Sequence, residues 1–159
     1  FTLAGYNSGD GDVIPSLQQF SNTNSAGIMS NIRQSDVIVG GRRAKRYVYD
    51  KAFTKDYKIR FCNTLADGSK FLANTTYVST FRIKNFSSVK LVFDLYEITS
   101  GHTLTNFTTK VELAPGETGT YTIEWSFGAS NNMLPFIVFN DQSDLSGFDF
   151  AMALNVVKK

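Results

Sequence analysis

The chain has 159 residues, 42% hydrophobic and 14% aromatic, with a formal net charge of +2. That composition is globular; it excludes a disordered chain, and no run nears the roughly 20 apolar residues of a membrane-spanning helix. A single cysteine, Cys62, excludes an internal disulfide and a cysteine zinc site, and the length suits one domain.

The near-neutral total hides a split. Residues 33–60 carry nine basic side chains against three acidic ones (+6), whereas residues 91–157 carry eight acids against Lys110 alone (−7). Oppositely charged halves favour head-to-tail docking between copies, because complementary fields steer association. A sandwich that makes neighbours of its first and last strands would instead satisfy part of the split internally, with Lys58 and Arg60 facing acids such as Glu112 or Glu124.

Residues 1–36 are rich in Gly, Ser, Asn and Gln without apolar periodicity and read as an irregular N-terminal arm; only 25–33 could form a short helical turn. The chain opens at Phe1 without Met, as expected of a processed product or an excised domain. From 37 onward the pattern is period two, the mark of half-buried strands. VIV at 37–39 and YVY at 47–49 come first, followed by Tyr57/Ile59/Phe61 and Tyr77/Ser79/Phe81/Ile83. Next are Val89/Leu91/Phe93/Leu95 and Phe107/Thr109/Val111/Leu113, and, after the turn at Pro115-Gly116, Tyr121/Ile123/Trp125/Phe127. The unbroken apolar run 134–139 reads as a buried central strand, and Phe148/Phe150/Met152/Leu154/Val156 close the chain. Eight or nine strands joined by short turns predict an all-β, two-sheet antiparallel β-sandwich over 37–159. A jelly-roll-like arrangement is expected, with an immunoglobulin-like one left open.

Catalytic chemistry is poorly represented. The one histidine, His102, sits in a turn without a nucleophile elbow, and Gly40-Gly41 leads into Arg42 rather than a phosphate-binding helix. Nothing marks two acids as a glycosidase pair. The expectation is no enzyme.

Three sets of residues remain as candidate sites. Arg42, Arg43, Lys45 and Arg46 form a basic cluster for assembly or phosphate contact, or a solvated strand paired with acids; with Tyr47 and Tyr49 following, it also suits single-stranded nucleic acid. Asp10, Asp12 and Asp149 offer hard oxygen ligands for calcium, the one cofactor considered. Tyr6, Tyr49, Phe86 and Tyr96 are candidate sugar-stacking aromatics, with Tyr96 the sharpest because it lies opposite the core parity of Leu95 and near Lys90 and Asp94. Asn74, Asn85 and Asn106 begin glycosylation sequons at the frequency chance provides.

The segments FLANTTYVSTFRIKN (71–85), TKVELAPGETGTYTIEWSF (109–127) and GFDFAMALNVVKK (147–159) resemble the galactose-binding-like jelly roll of carbohydrate-binding modules. The stretch SDVIVGGRRAKRYVYDKAF (35–53) resembles the first core strands of small virion proteins of tailed bacteriophages. With the arm and the charge split, the second resemblance implies a non-catalytic structural protein of a virus or phage particle, binding its own copies or other virion proteins. The first implies a carbohydrate-binding module or host-glycan attachment domain, secreted or extracellular. A third reading is an RNA-contacting capsid subunit with Arg42 to Arg46 toward the genome. None of the three involves a membrane.

Overall fold

The computed structural model describes residues 11–18, 30–55, 57–62, 64–99, 108–126, 128 and 133–159, with the backbone alone at 18, 62, 96–99, 108 and 133–136. Eleven strands occur among them. They are β1 (Asp12–Val13), β2 (Ser16–Gln18), β3 (Arg33–Val39), β4 (Arg42–Tyr49), β5 (Lys58–Cys62) and β6 (Tyr77–Asn85). The chain continues with β7 (Leu91–Thr99), β8 (Thr108–Leu113), β9 (Thr118–Trp125), β10 (Met133–Val138) and β11 (Phe148–Lys158). Among the described residues no helix is long and apolar enough to cross a membrane.

One sheet runs β3-β4-β11-β6-β9, with β1 also pairing β11; the other runs β2-β5-β10-β7-β8, and every pairing is antiparallel. The eight strands from β4 to β11 divide four and four, ordered β4-β11-β6-β9 and β5-β10-β7-β8. That interleaving of early with late strands is the double Greek key of a jelly roll. It settles the topology that periodicity leaves open, since side-chain alternation reports which face is buried and not which strand lies alongside.

Alternation is clearest in β6, where Tyr77, Ser79, Phe81, Ile83 and Asn85 are buried and the residues between them half-buried. The core is a lattice of rings: Phe139 stacks on Phe148 at 5.3 Å and meets Phe53 at 5.2 Å, while Tyr77 stacks on Trp125 at 5.0 Å. Offset and edge contacts of this kind add to the burial of the rings themselves. Trp125 Nε1 donates to Ser79 Oγ at 2.7 Å, which satisfies the indole inside that lattice.

Residues 12–18 lie within the stretch expected to be an arm, and they join both sheets through β1 and β2. Gly11, at φ 84°, lets the backbone approach closely enough to accept from Val156 N at 2.9 Å, and Tyr47 Oη donates to Pro15 O at 3.1 Å. Val13 and Leu17 pack on the core. Strands of two and three residues are too short for period two to register. β3 likewise begins at Arg33, ahead of the expected boundary at 37, and most of the expected helical turn at 25–33 lies outside the described residues.

Candidate functional site

The basic cluster belongs to β4, and alternation divides it. Arg42 and Arg46 share the outer face with Ala44, whereas Arg43 and Lys45 fall on the parity of Tyr47. Acids from other strands meet Arg42, Lys45 and Arg46. Arg46 donates to Asp149 of β11 from Nε and Nη2, at 2.7 and 2.6 Å; Lys45 bonds Asp36 of β3 at 3.1 Å; Arg42 lies 3.5 Å from Asp12 of β1. Arg33 adds a bond to Asp50 at 2.7 Å. The Asp149 hydrogen bond pushes the Arg46 guanidinium further up, and Arg33 holds the Asp50 carboxyl below the usual carboxylate range. Of these pairs only Arg46–Asp149 joins the basic segment to the acidic one, and the acids expected opposite Lys58 and Arg60 are engaged by other cations. Glu112 pairs with Lys90, and Glu124, in the other sheet, with Lys159 at 2.9 Å.

Tyr49, Phe86 and Asp149 come together in one shallow depression that Ser87, Asp144 and Ser146 also line. Its aromatics are already engaged. Tyr49 is 6% exposed and packs on Phe148, while the Phe86 ring carries the Arg46 guanidinium at 4.3 Å and the Lys84 ammonium at 4.9 Å. Phe86 thus caps the small outer cluster of Val39, Ala44, Ala151 and Ala153.

Asp12 and Asp149 do not converge. Asp12 pairs in register with Asn155, whose Nδ2 donates to Asp12 Oδ1 at 2.8 Å. Asp149 lies six residues earlier on β11, about 20 Å along the strand at the usual rise. Among the described residues no group of three His, Cys, Asp or Glu side chains could hold a metal ion. Asp10 and Tyr6 lie outside the described residues.

Tyr96 falls in a different setting. Its register partner on β10 is Phe136 and on β8 is Thr108; Phe136 is opposite Arg60 of β5, and Arg60 opposite Gln18 of β2. A row Gln18–Arg60–Phe136–Tyr96–Thr108 therefore crosses all five strands. The next row on the same parity is Lys58–Val138–Asp94–Lys110. This parity is the outer one, because Ile59, Phe61, Phe93, Leu95, Val111 and Ile137 take the inner one and are wholly or almost wholly buried in the core. Lys58, Arg60 and Asp94 are half-buried and Lys110 exposed. Asn140 Nδ2 donates to Asp94 Oδ2 at 2.5 Å, and Lys110 Nζ bonds Asp141 at 2.9 Å. Gln142 ties the segment after β10 to β7, accepting from Val92 N at 2.7 Å and donating to Lys90 O at 2.9 Å.

Of the candidate sugar-stacking aromatics, Tyr96 alone falls on this face among the described residues. The available signal for the rest of the face was the run 134–139: an apolar central strand in a sheet whose other strands alternate with polar residues places apolar side chains on the outer face as well as the inner.

No family model and no curated protein sequence matches the chain. Solved structures do. The CBM22-1–GH10 modules of the N-terminal endo-1,4-β-D-xylanase 10B of Clostridium thermocellum, complexed with xylohexaose, align over 94% of this chain at 12% identity and a TM-score of 0.57; the chain spans 29% of that protein. The CBM22-1 xylan-binding domain of Paenibacillus barcinonensis Xyn10C aligns over 96% of this chain and 99% of its own, at 8% identity and a TM-score of 0.54. A CBM4 structure aligns over 86% and 83%, at 15% identity and 0.54. At these identities the likeness establishes the fold, a β-sandwich shared with carbohydrate-binding modules. None of the three is a virion protein, so the phage resemblance of 35–53 finds no counterpart among them.

Proposed function

We propose that the chain is a non-catalytic carbohydrate-binding module, acting outside the cell, that holds a polysaccharide across the outer face of β2-β5-β10-β7-β8. The single observation carrying this reading is the register row Gln18–Arg60–Phe136–Tyr96–Thr108. It combines two neighbouring aromatic positions, suited to the apolar face of a sugar ring, with polar residues on either side for the hydroxyls. Four inter-strand gaps give it a length of about 19 Å, which favours an oligosaccharide over a single sugar. Asp94, fixed by Asn140, adds an acceptor beside the row. The neighbours support the reading through what they are: one is itself a xylan-binding domain. The assembly contact expected of the basic cluster is less favoured, because Arg42, Lys45 and Arg46 meet acids of the same chain.

A glycan array followed by affinity electrophoresis tests the proposal. Tyr96→Ala is expected to abolish retardation by the polysaccharide identified while leaving the far-ultraviolet dichroism unchanged. An array on which no glycan binds overturns it.

A further inference from the structure

We infer that Asn74 is an acceptor site for N-linked glycosylation, the amide on which the exported chain takes an oligosaccharide. The inference stands apart from the polysaccharide reading, and the failure of either leaves the other in place.

The sequence contains three Asn-x-Ser/Thr tripeptides, beginning at Asn74, Asn85 and Asn106, and gives no ground for choosing among them. The fold separates the first two. Asn85 is wholly buried, and its amide is engaged with Val89 O, Leu113 O, Ser87 N and Ser87 Oγ. Asn74 is exposed in a turn, and Asn106 lies outside the described residues.

The turn is built so that Asn74 projects. Phe71, which precedes it, is buried edge-on against Tyr77 and Trp125, at 5.1 and 5.0 Å. Leu72 N donates to Tyr77 Oη at 2.9 Å, Thr75 Oγ1 to Ala73 O at 3.1 Å, and Lys159 N to Thr76 O at 2.9 Å. Both feet of the turn are therefore fastened, while Leu72, Ala73 and Asn74 stand exposed between them. Asn74 has φ 54° and is alone in the left-handed region among the described non-glycine residues. Asparagine tolerates that conformation, so the turn by itself accounts for Asn74, but it does not call for a hydroxyl two residues on, at Thr76. Neither the Asn74 amide nor the Thr76 hydroxyl has a hydrogen-bond partner among the described residues, so both can be engaged by a transferase.

In the transfer, Asn74 Nδ2 bonds to the anomeric carbon of a lipid-linked oligosaccharide. The bond from that carbon to the pyrophosphate oxygen breaks, the lipid pyrophosphate leaves, and Nδ2 gives up one proton. The enzyme has to surround the acceptor amide, which an exposed turn permits and a buried strand end does not.

The test directs the chain into the secretory pathway of a glycosylating eukaryotic host and maps its peptides by mass spectrometry. Each sample is also treated with a glycosidase that frees the sugar from the amide nitrogen and leaves aspartate. Asn74 is expected to carry glycan on most chains and Asn85 on none. Asn74→Gly, which suits the φ of the turn, and Thr76→Val, which keeps both the asparagine and a branched side chain, should each remove that glycan. Thr76→Ser should retain it. Urea midpoints of the three variants, compared with that of the deglycosylated parent, should be close to it, so that loss of the glycan is not loss of the fold. A bare Asn74 in the secreted, folded protein overturns the inference, and so does glycan at Asn74 that survives Thr76→Val.

Discussion

Arg46 and Asp149 form a two-point contact, Nε to Oδ1 at 2.7 Å and Nη2 to Oδ2 at 2.6 Å, although 103 residues separate them in the chain. The pair joins β4 to β11 and, through the Phe86 ring 4.3 Å from the guanidinium, ties β11 to the turn after β6. Its side chains are 34% and 21% exposed, so solvent weakens the attraction and the contact ranks as a modest stabiliser. A double-mutant cycle of Arg46→Ala and Asp149→Ala, read by urea unfolding, should give a coupling energy of about 0.5–1 kcal/mol. A coupling near zero would mean that the basic cluster is held by something other than its acids.

Asn85 should be one of the costliest polar positions to lose. It is wholly buried; its Nδ2 donates to Val89 O at 2.8 Å and Leu113 O at 3.1 Å, and its Oδ1 accepts from Ser87 N and Oγ at 2.9 and 2.7 Å. Asn85→Ala strands these partners and should destabilise by about 2–3 kcal/mol in urea titration. The same geometry blocks glycosylation of the folded chain at this sequon, so mass spectrometry of protein from a glycosylating host should find Asn85 bare.

Tyr57 offers the opposite case. Its hydroxyl is buried with no hydrogen-bond partner among the described residues. Tyr57→Phe should leave stability unchanged or raise it by about 1 kcal/mol at neutral pH, since no bond is lost and a buried polar group is removed. A loss of more than 1 kcal/mol would reveal a partner for that oxygen.

The two limits of pH act through different residues. Hydrogen bonds from Arg33 depress Asp50, those from Ser69 depress Asp67, those from Lys90 depress Glu112, and those from Ser146 depress Asp144. A carboxyl whose folded pKa is depressed stabilises the fold above its unfolded pKa and ceases to do so as pH falls through the folded one. The urea midpoint should therefore decline from about pH 5 downward. Burial raises Tyr47 and Tyr57 instead. Above about pH 10 the unfolded chain gains by ionising these phenols and the folded chain does not, so stability should fall again on the alkaline side. A midpoint flat from pH 7 to 11 would contradict the burial of both rings.

Gly11 controls whether β1 reaches the sheet. A Cβ there would stand 2.4 Å from Val156 O, at a φ of 84° that side chains disfavour. Gly11→Ala should cost about 1–3 kcal/mol. It should also increase amide exchange at Val156, whose N–H donates to Gly11 O at 2.9 Å. Exchange at Val156 unchanged by the substitution would show that β1 is not anchored there.

Most strands from β4 onward were legible because burial imposes its period on the sequence: Tyr77 to Asn85 shows it residue by residue, while β11, buried also at Ala151 and Ala153, keeps it in its large side chains from Phe148 to Val156. The sandwich followed from that local rule, and so did the placing of Tyr96 off the core parity. Which strand lies beside which was not legible, because hydrogen bonds between backbones carry no side-chain signature. That pairing brought Asp12, Asp36 and Asp149 onto the basic cluster, and Arg46–Asp149 joins the basic segment of the chain to the acidic one. It also set Arg60, Tyr96 and Phe136, scattered over 77 residues of sequence, in a single row. Which side chains turn inward is written in the alternation along each strand. Which outward ones stand together depends on strand pairing, since interstrand register is a property of two distant segments at once and neither encodes it alone.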